Sequence, residues 1–310
     1  MEQGILGDVV VRSPANPLVG INDIPFACSD IWNAGVTCVD GVCIMLITIE
    51  LLEGRHAIYR ARSEDGETFA IDGTPFMVPA TEGPRARCES AGIRDPRVTF
   101  LEGCYYIGYL AEGDDGLRVA LARTKDFQSV EWLGYPTQVD EKNGTLFPAR
   151  IGGRYALLTR PNAGASIWVI YSDDLEFWGS PAPVMTPRAG YWDSDRIGPG
   201  PPPIETEQGW LLLYYGQKST SAGPLVRLGA ALLDREDPAR VLARSNIPIL
   251  SPRERYERIG DVPNVVFSCG ALLSDGIVTV YYGASDSVIC RGSAPLEEII
   301  GHCFRSAREF

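Results

Sequence analysis

The hydrophobic positions of this chain fall into short continuous runs rather than long stripes. GVCIMLITIE, GCYYIGYLAE, GRYALLTRP, GWLLLYYG and GIVTVYYG each start at a glycine and proceed through β-branched, aromatic and aliphatic residues, the composition of strands. Each run belongs to a looser unit in which a second strand ends on a small or hydroxylated residue and an acidic turn follows. The unit reads IYRARSEDGETFAID from Ile58, VALARTKDFQSVEWLG from Val119, IWVIYSDDLEFWGSP from Ile167 and RLGAALLDREDPARVLAR from Arg227. A degenerate fifth copy is VTVYYGASDSVICRGSAPLEEII from Val278. A period of roughly 50 to 60 residues marks a repeat architecture. No long segment of helical periodicity competes, and Pro295–Ile300 alone reads as helix.

Five copies predict an all-β fold, a five-bladed β-propeller of about four strands per blade, in which repetition around a ring protects the strand edges. An irregular β-sandwich is the alternative, and the recurring spacing disfavours it. The propeller is expected to occupy residues 1–310 as a single catalytic domain. Its active site should lie in the central cavity, where polar segments between the blade strands converge.

Composition narrows the function classes. A hydrophobic fraction of 45% with 22% charged residues supplies an ordinary globular core, and 33 glycines and 23 prolines suit many short strands joined by turns. The net charge of −12 argues against nucleic acid and against anionic membrane surfaces as partners. Eight cysteines are present (Cys28, Cys38, Cys43, Cys88, Cys104, Cys269, Cys290 and Cys303), but there is no CxxC pair, and His56 and His302 stand in no metal-ligand pattern. Free thiols and no metal are expected, with Cys38, Cys43, Cys104 and Cys290 packed as small hydrophobes in or beside strands. The opening MEQGILGDVVVRSP lacks the basic and apolar regions of a secretion signal, and no apolar run approaches about 18 residues. The expectation is a cytoplasmic protein.

Five segments are too specific for generic turns: DIWNAG (30–35), RDPRV (94–98), KNGTLFPARIGGRYALLTRP (142–161), WDSDRIGPGPPPI (192–204) and GDVPNVVFSCG (260–270). Each couples charged or amide residues to Gly or Pro, which fix backbone direction. Together they make the chain resemble glycoside hydrolase family 130, the β-mannoside phosphorylases and mannosidases, over nearly its whole length. RDPRV resembles the family's EDPR, TLFPARIGGRYALLTRP its LFP…INGRYAMLHRP, and RIGPGPPPIETEQGWLLLYYG its KIGAGPPPI…GWLLIYHG. RLGAALLD and GDVPNVVFSCG match further segments in order.

The resemblance implies phosphorolysis with inversion, reversible, releasing mannose 1-phosphate from β-mannan oligosaccharides, β-1,2-linked. Inorganic phosphate or mannose 1-phosphate is then a co-substrate and no cofactor is needed. It implies Asp95 as the general acid, acting through a hydroxyl of the bound mannose. Lys142, Arg160 and Arg196 stand at phosphate-binding positions, and guanidinium groups suit a dianion. Asn33 and Asp261 stand where the family holds the sugar, with Asp193, Asp195, Tyr215 and Asp286 as further sugar-side candidates. Asp95 precedes Pro96, so its backbone is expected to be extended; its other reading is a turn aspartate paired with Arg97. Trp32 and Trp192 either stack on a sugar or pack in the core.

The chain departs from the family pattern at four positions. Thr48 replaces an arginine, Arg94 the glutamate before the acid, Tyr215 a histidine and Val226 a tyrosine. These departures keep other readings open: transfer from GDP-mannose, as in the divergent glycosyltransferase family 108, an exo-β-mannosidase, or an inactive sugar-binding propeller. A homo-oligomer is compatible with the resemblance.

Overall fold

The computed structural model describes residues 7–305. A short strand, β1 (Val11–Arg12), precedes the first blade, which comprises β2 (Asp30–Val39), β3 (Val42–Glu50), β4 (His56–Ser63) and β5 (Ala70–Ile71). The second blade holds β6 (Gly92–Leu101), β7 (Cys104–Gly113), β8 (Gly116–Thr124) and β9 (Glu131–Gly134). The third holds β10 (Glu141–Leu146), β11 (Tyr155–Pro161), β12 (Ile167–Ser172) and β13 (Gly179–Met185). In the fourth, β14 (Arg196–Pro199) and β15 (Ile204–Thr206) both pair with β16 (Gly209–Thr220), followed by β17 (Gly223–Leu233) and β18 (Val241–Arg244). The fifth runs β19 (Val266–Ser274), β20 (Ile277–Ala284) and β21 (Val288–Pro295), and β1 returns to complete it. Helices are few: α1 (Pro84–Cys88), α2 (Arg255–Arg258) and α3 (Leu296–Arg305). The last extends the predicted helix to Arg305.

The hydrophobic runs are continuous because each blade is buried on both faces. Side chains alternate across a strand, and here both sets meet a neighbouring blade. In β3, Ile44 and Leu46 face the second blade while Met45, Ile47 and Ile49 face the fifth. In β16, Leu211 and Leu213 pack toward the fifth blade and Leu212 and Tyr214 toward the third. The five apolar clusters lie one between each adjacent pair of blades. The core is therefore a ring around the axis, and the axis itself is left to polar groups.

The acidic turns of the repeat have a structural cause. Asp65, Asp126, Asp174 and Asp234 each place Oδ1 to accept backbone N–H groups two and three residues ahead. Each thereby closes the turn into the outermost strand of its blade. The fifth copy has no such turn because its outer strand is β1. The unit read from Val278 is one strand out of phase: VTVYYG is β20, the counterpart of β3, and the true third strand is β21. The eight cysteines are free. Cys43, Cys88, Cys269, Cys290 and Cys303 are buried, but Cys38 is exposed near the tip of the β2–β3 hairpin and Cys104 is half-buried, against the expectation for those two.

Closure of the ring rests on β1. Val11 and Arg12 pair with Ser293 and Gly292 of β21. Arg12 then reaches inward, with Nε 2.7 Å from Oε1 of the fully buried Glu257, whose Oε1 also accepts from Tyr282 Oη at 3.0 Å. Burial pushes the Glu257 carboxyl up, but Arg12 and the N–H groups of Arg253 and Glu254 outweigh it, and the net displacement is below the usual 4.5. Glu257 therefore stabilises the native state above its unfolded value, and that contribution is lost as pH falls through the folded value. Arg12→Ala should strand this carboxylate and cost about 3–5 kcal/mol, read as a lower urea midpoint at pH 7. A midpoint within the error of the wild type would show that β1 does not hold the ring closed.

Candidate active site

The innermost strands carry the site through a shared irregularity. In β2, Trp32 and Asn33 together oppose Thr48; in β6, Asp95 and Pro96 oppose Tyr109; in β10, Asn143 and Gly144 oppose Thr159. Two residues against one is a β-bulge, which re-aims a side chain without ending the strand. The three bulges fall at equivalent places in successive blades and bring Asn33, Asp95 and Asn143 to the wall of one cavity. The polar segments of these blades thus lie within the inner strands, rather than between strands as expected.

Asp95 is not extended. Its φ is +55°, in the left-handed region, and Asn143 at +59° shares that geometry. Asp and Asn tolerate this conformation better than other side chains, and here the surroundings impose it. The Asp95 N–H donates to Thr48 Oγ1 at 3.0 Å, and Arg97 Nη1 donates to the Asp95 carbonyl at 2.8 Å. Arg97 is almost wholly buried and also donates through Nε to the Gly200 carbonyl at 2.8 Å. It braces the backbone of Asp95 rather than pairing with its carboxylate. That carboxylate accepts from Asn33 Nδ2 at 2.9 Å.

The cavity, of about 220 Å³, is lined among others by Trp32, Asn33, Arg94, Asp95, Lys142, Asn143, Arg160, Arg196, Tyr215 and Asp286. Gln217, Val226 and Phe267 complete the wall near Tyr215. Two poles are evident. Lys142, Arg160 and Arg196 stand together with Arg94; burial, then the charge of Arg94, holds the Lys142 ammonium below its ordinary value. Arg160 is buried and donates through Nε to Asn143 Oδ1 at 3.2 Å, and Tyr215 Oη donates to the same oxygen at 3.3 Å. Asn143 thus joins the cation side to Tyr215.

The opposite pole is acidic. Asp286, with φ +48°, is pushed up to about 7 by burial and then by the charges of Asp95 and Asp261. Asp261 is exposed at the rim rather than on the wall, its N–H donating to Ser287 Oγ at 2.9 Å. Trp32 Nε1 and Asn33 Oδ1 are buried and bond to no protein atom among the described residues. Both belong to residues on the wall.

Two sugar-side candidates are corrected. Asp193 is fully buried away from the cavity, 2.9 Å from Arg188 Nη2 and 2.7 Å from Arg244 Nη2, and accepts from Tyr214 Oη at 2.8 Å. It is a structural anion of the fourth blade. Asp195 is exposed and accepts from the Ser219 N–H at 2.6 Å, closing a turn outside the wall. Trp192 is core, stacked on Tyr214 at 5.5 Å between ring centroids, whereas Trp32 faces the cavity. Asn143, Thr48, Arg97 and Gln217 were not identified as site residues. Asn143-Gly144 carried the one usable signal, an Asn-Gly pair suited to a left-handed kink inside an apolar strand.

A ring of blades converging on two carboxylates and a group of cations defines a carbohydrate-active propeller whose cavity can hold a neutral ring beside an anion. The model of glycoside hydrolase family 130, described as beta-1,4-mannooligosaccharide phosphorylase, matches residues 24–305, and the chain belongs to that family. It is 40% identical over 240 residues to a 1,2-beta-oligomannan phosphorylase of Thermoanaerobacter sp. (strain X514), covering 76% of this chain and 77% of that protein. Identity to a beta-1,4-mannooligosaccharide phosphorylase of Ruminococcus albus is 28% over 306 residues, covering 95% and 91% respectively. The structure matches that of beta-1,2-mannobiose phosphorylase from Listeria innocua in complex with beta-1,2-mannobiose. The TM-score is 0.87 at 30% identity, over 96% of this chain and 99% of that one.

The elevated Asp286 carboxyl makes stability pH-dependent in a defined sense. Its native value lies above the ordinary 3.8, so the unfolded chain releases this proton first and native stability falls as pH rises from about 4 to about 7. Asp286→Asn should remove that penalty, raising stability at pH 8 by on the order of 1–4 kcal/mol, each pH unit of displacement being worth about 1.4 kcal/mol. At pH 4 the gain should vanish. Equal gains at both pH values, measured by thermal unfolding, would assign the effect to packing instead.

Proposed function

We propose that this protein is an inverting β-mannoside phosphorylase, with β-1,2-linked mannan oligosaccharides and phosphate as substrates and mannose 1-phosphate as product. The observation that carries this reading is the single small cavity in which the Asp95 carboxylate, oriented by Asn33, faces Lys142, Arg160 and Arg196. Relatives with β-1,2 names share more identity with the chain than the β-1,4 relative does, which supports the linkage.

In this reading phosphate is held by the three cations and attacks the anomeric carbon on the face opposite the leaving sugar. The carbon–oxygen bond of the glycoside breaks as the bond to phosphate oxygen forms, inverting the centre. Asp95 supplies the proton that the departing oxygen takes up, relayed by a mannose hydroxyl. Phosphate is the nucleophile, so no second carboxylate is required to activate water, unlike the paired carboxylates of a hydrolase. The cations stabilise charge on the incoming dianion in a partly dry cavity, where such interactions are strongest. No cofactor enters the scheme. Asp286, Asn33 and Trp32 hold sugar hydroxyls, and Asp261 serves from the rim.

Incubation with β-1,2-mannobiose should release mannose 1-phosphate only when phosphate is present, and mannose 1-phosphate should elongate a β-mannan acceptor. Asp95→Asn should lower turnover by about 10²–10⁴-fold while sugar binding, followed by calorimetry, is retained. Free mannose released at equal rates without phosphate would instead indicate a mannosidase, with Asp286 as the other wall carboxylate to serve as base. Elongation from GDP-mannose but not from mannose 1-phosphate would replace the donor, and activity unchanged in Asp95→Asn would remove the acid from its role.

A further inference from the structure

We infer that Arg94 is a fourth cation of the anion pocket and a specificity-determining residue for the phosphate-bearing substrate. The inference rests on the phosphorylase reading and adds a donor to the phosphate-binding side of that site. Arg94 is the last residue of β6 in regular register with β7, opposite Leu110, before the bulge that carries Asp95. The same backbone that aims the acid therefore also aims this guanidinium. It lines the cavity with Lys142, Arg160 and Arg196.

Two contacts hold it there. Its Cζ lies 5.1 Å from the ring centroid of Trp32, itself on the wall, and Nη2 lies 2.6 Å from Glu112 Oε2. A guanidinium carries five N–H donors in a planar fork. Glu112 is its one ion pair among the described residues, so donors remain for a ligand. The Glu112 pair does not account for the arginine by itself. Glu112 is one-third exposed at the end of β7, and a partly solvated partner neutralises a mostly buried guanidinium only in part.

The charge of Arg94 is felt across the cavity. It opposes protonation of Lys142, and it favours the ionised form of Asp286 on the far side. Like charges gathered without a ligand repel one another, and a dianion seated among them converts that repulsion into attraction. Neutral mannose offers no such gain. A phosphate or a sugar phosphate does, and a planar fork can grip two of its oxygens.

The test is calorimetric titration of the whole protein with inorganic phosphate, alongside initial rates with β-1,2-mannobiose, for wild type, Arg94→Gln and Arg94→Lys. Arg94→Gln should weaken phosphate binding and raise the phosphate KM about tenfold, the loss expected for a charge-assisted hydrogen bond. The mannobiose KM should stay within twofold. Arg94→Lys keeps the charge and the Glu112 pair, and should recover much of the phosphate affinity; it also guards against a misfolded glutamine variant. Phosphate affinity unchanged in Arg94→Gln, or a mannobiose KM that rises as far as the phosphate KM, would overturn the assignment and leave the phosphorylase reading standing. Wild-type protein that neither binds phosphate nor needs it for cleavage would overturn both.

Discussion

The site depends on the left-handed turn of the chain at Asp95. A residue in that conformation within a strand is a local strain of order 1–3 kcal/mol, and it persists because its two backbone groups are both held. Thr48 Oγ1 accepts the N–H and Arg97 donates to the carbonyl. Gly35, on the adjacent inner strand, makes the close approach possible, since a Cβ there would come within 2.5 Å of the Pro96 carbonyl oxygen. Asp95 is thus placed by neighbours in two blades, and Asn33 from the first blade then fixes its carboxylate. Rigidity of this kind comes from strands and packed side chains rather than from a loop, which favours a precise catalytic geometry.

The propeller makes this affordable by putting its apolar groups elsewhere. Every blade is buried against two neighbours, so the hydrophobic ring is continuous and the axis can collect charges. Those charges separate into a basic side around Lys142, Arg160 and Arg196 and an acidic side around Asp286 and Asp261, with Asp95 between them. A substrate pair made of a neutral sugar and a dianion matches that division. The overall charge of −12 gave no hint of it, because a few guanidinium groups in a low-dielectric cavity outweigh the distant surface.

The blade count was legible because β-propeller packing writes itself into each strand: burial on both faces demands unbroken apolar runs, and each acidic turn demands an aspartate at a fixed offset. The phase of the fifth copy was not legible, because its outer strand comes from the beginning of the chain and the pairing of Val11 with Ser293 is invisible to local pattern. The same limit governs the site. Asp95, Lys142, Arg160 and Arg196 were found through family motifs, but Asp193 in one of those motifs belongs to an ion network with Arg188 and Arg244. Nothing local separates a carboxylate aimed at the axis from one aimed into a blade. Bulges hide for a related reason. They are properties of two strands, and only Asn143-Gly144 betrays one from a single strand.

Two of the departures implied by the family resemblance, Thr48 and Arg94, meet at Asp95. Thr48, where the resemblance implies an arginine, is fully buried behind the bulge and accepts the Asp95 N–H. Arg94, where the resemblance implies a glutamate, places its charge on the cavity wall. Glu112 pairs with this arginine at 2.6 Å and moderates the charge next to Asp95. Tyr215 and Val226, the other two departures, also line the cavity, and Tyr215 donates to Asn143. Asp95, held at both backbone groups, and Arg94 beside it on the cavity wall are thus set by the same short stretch of β6.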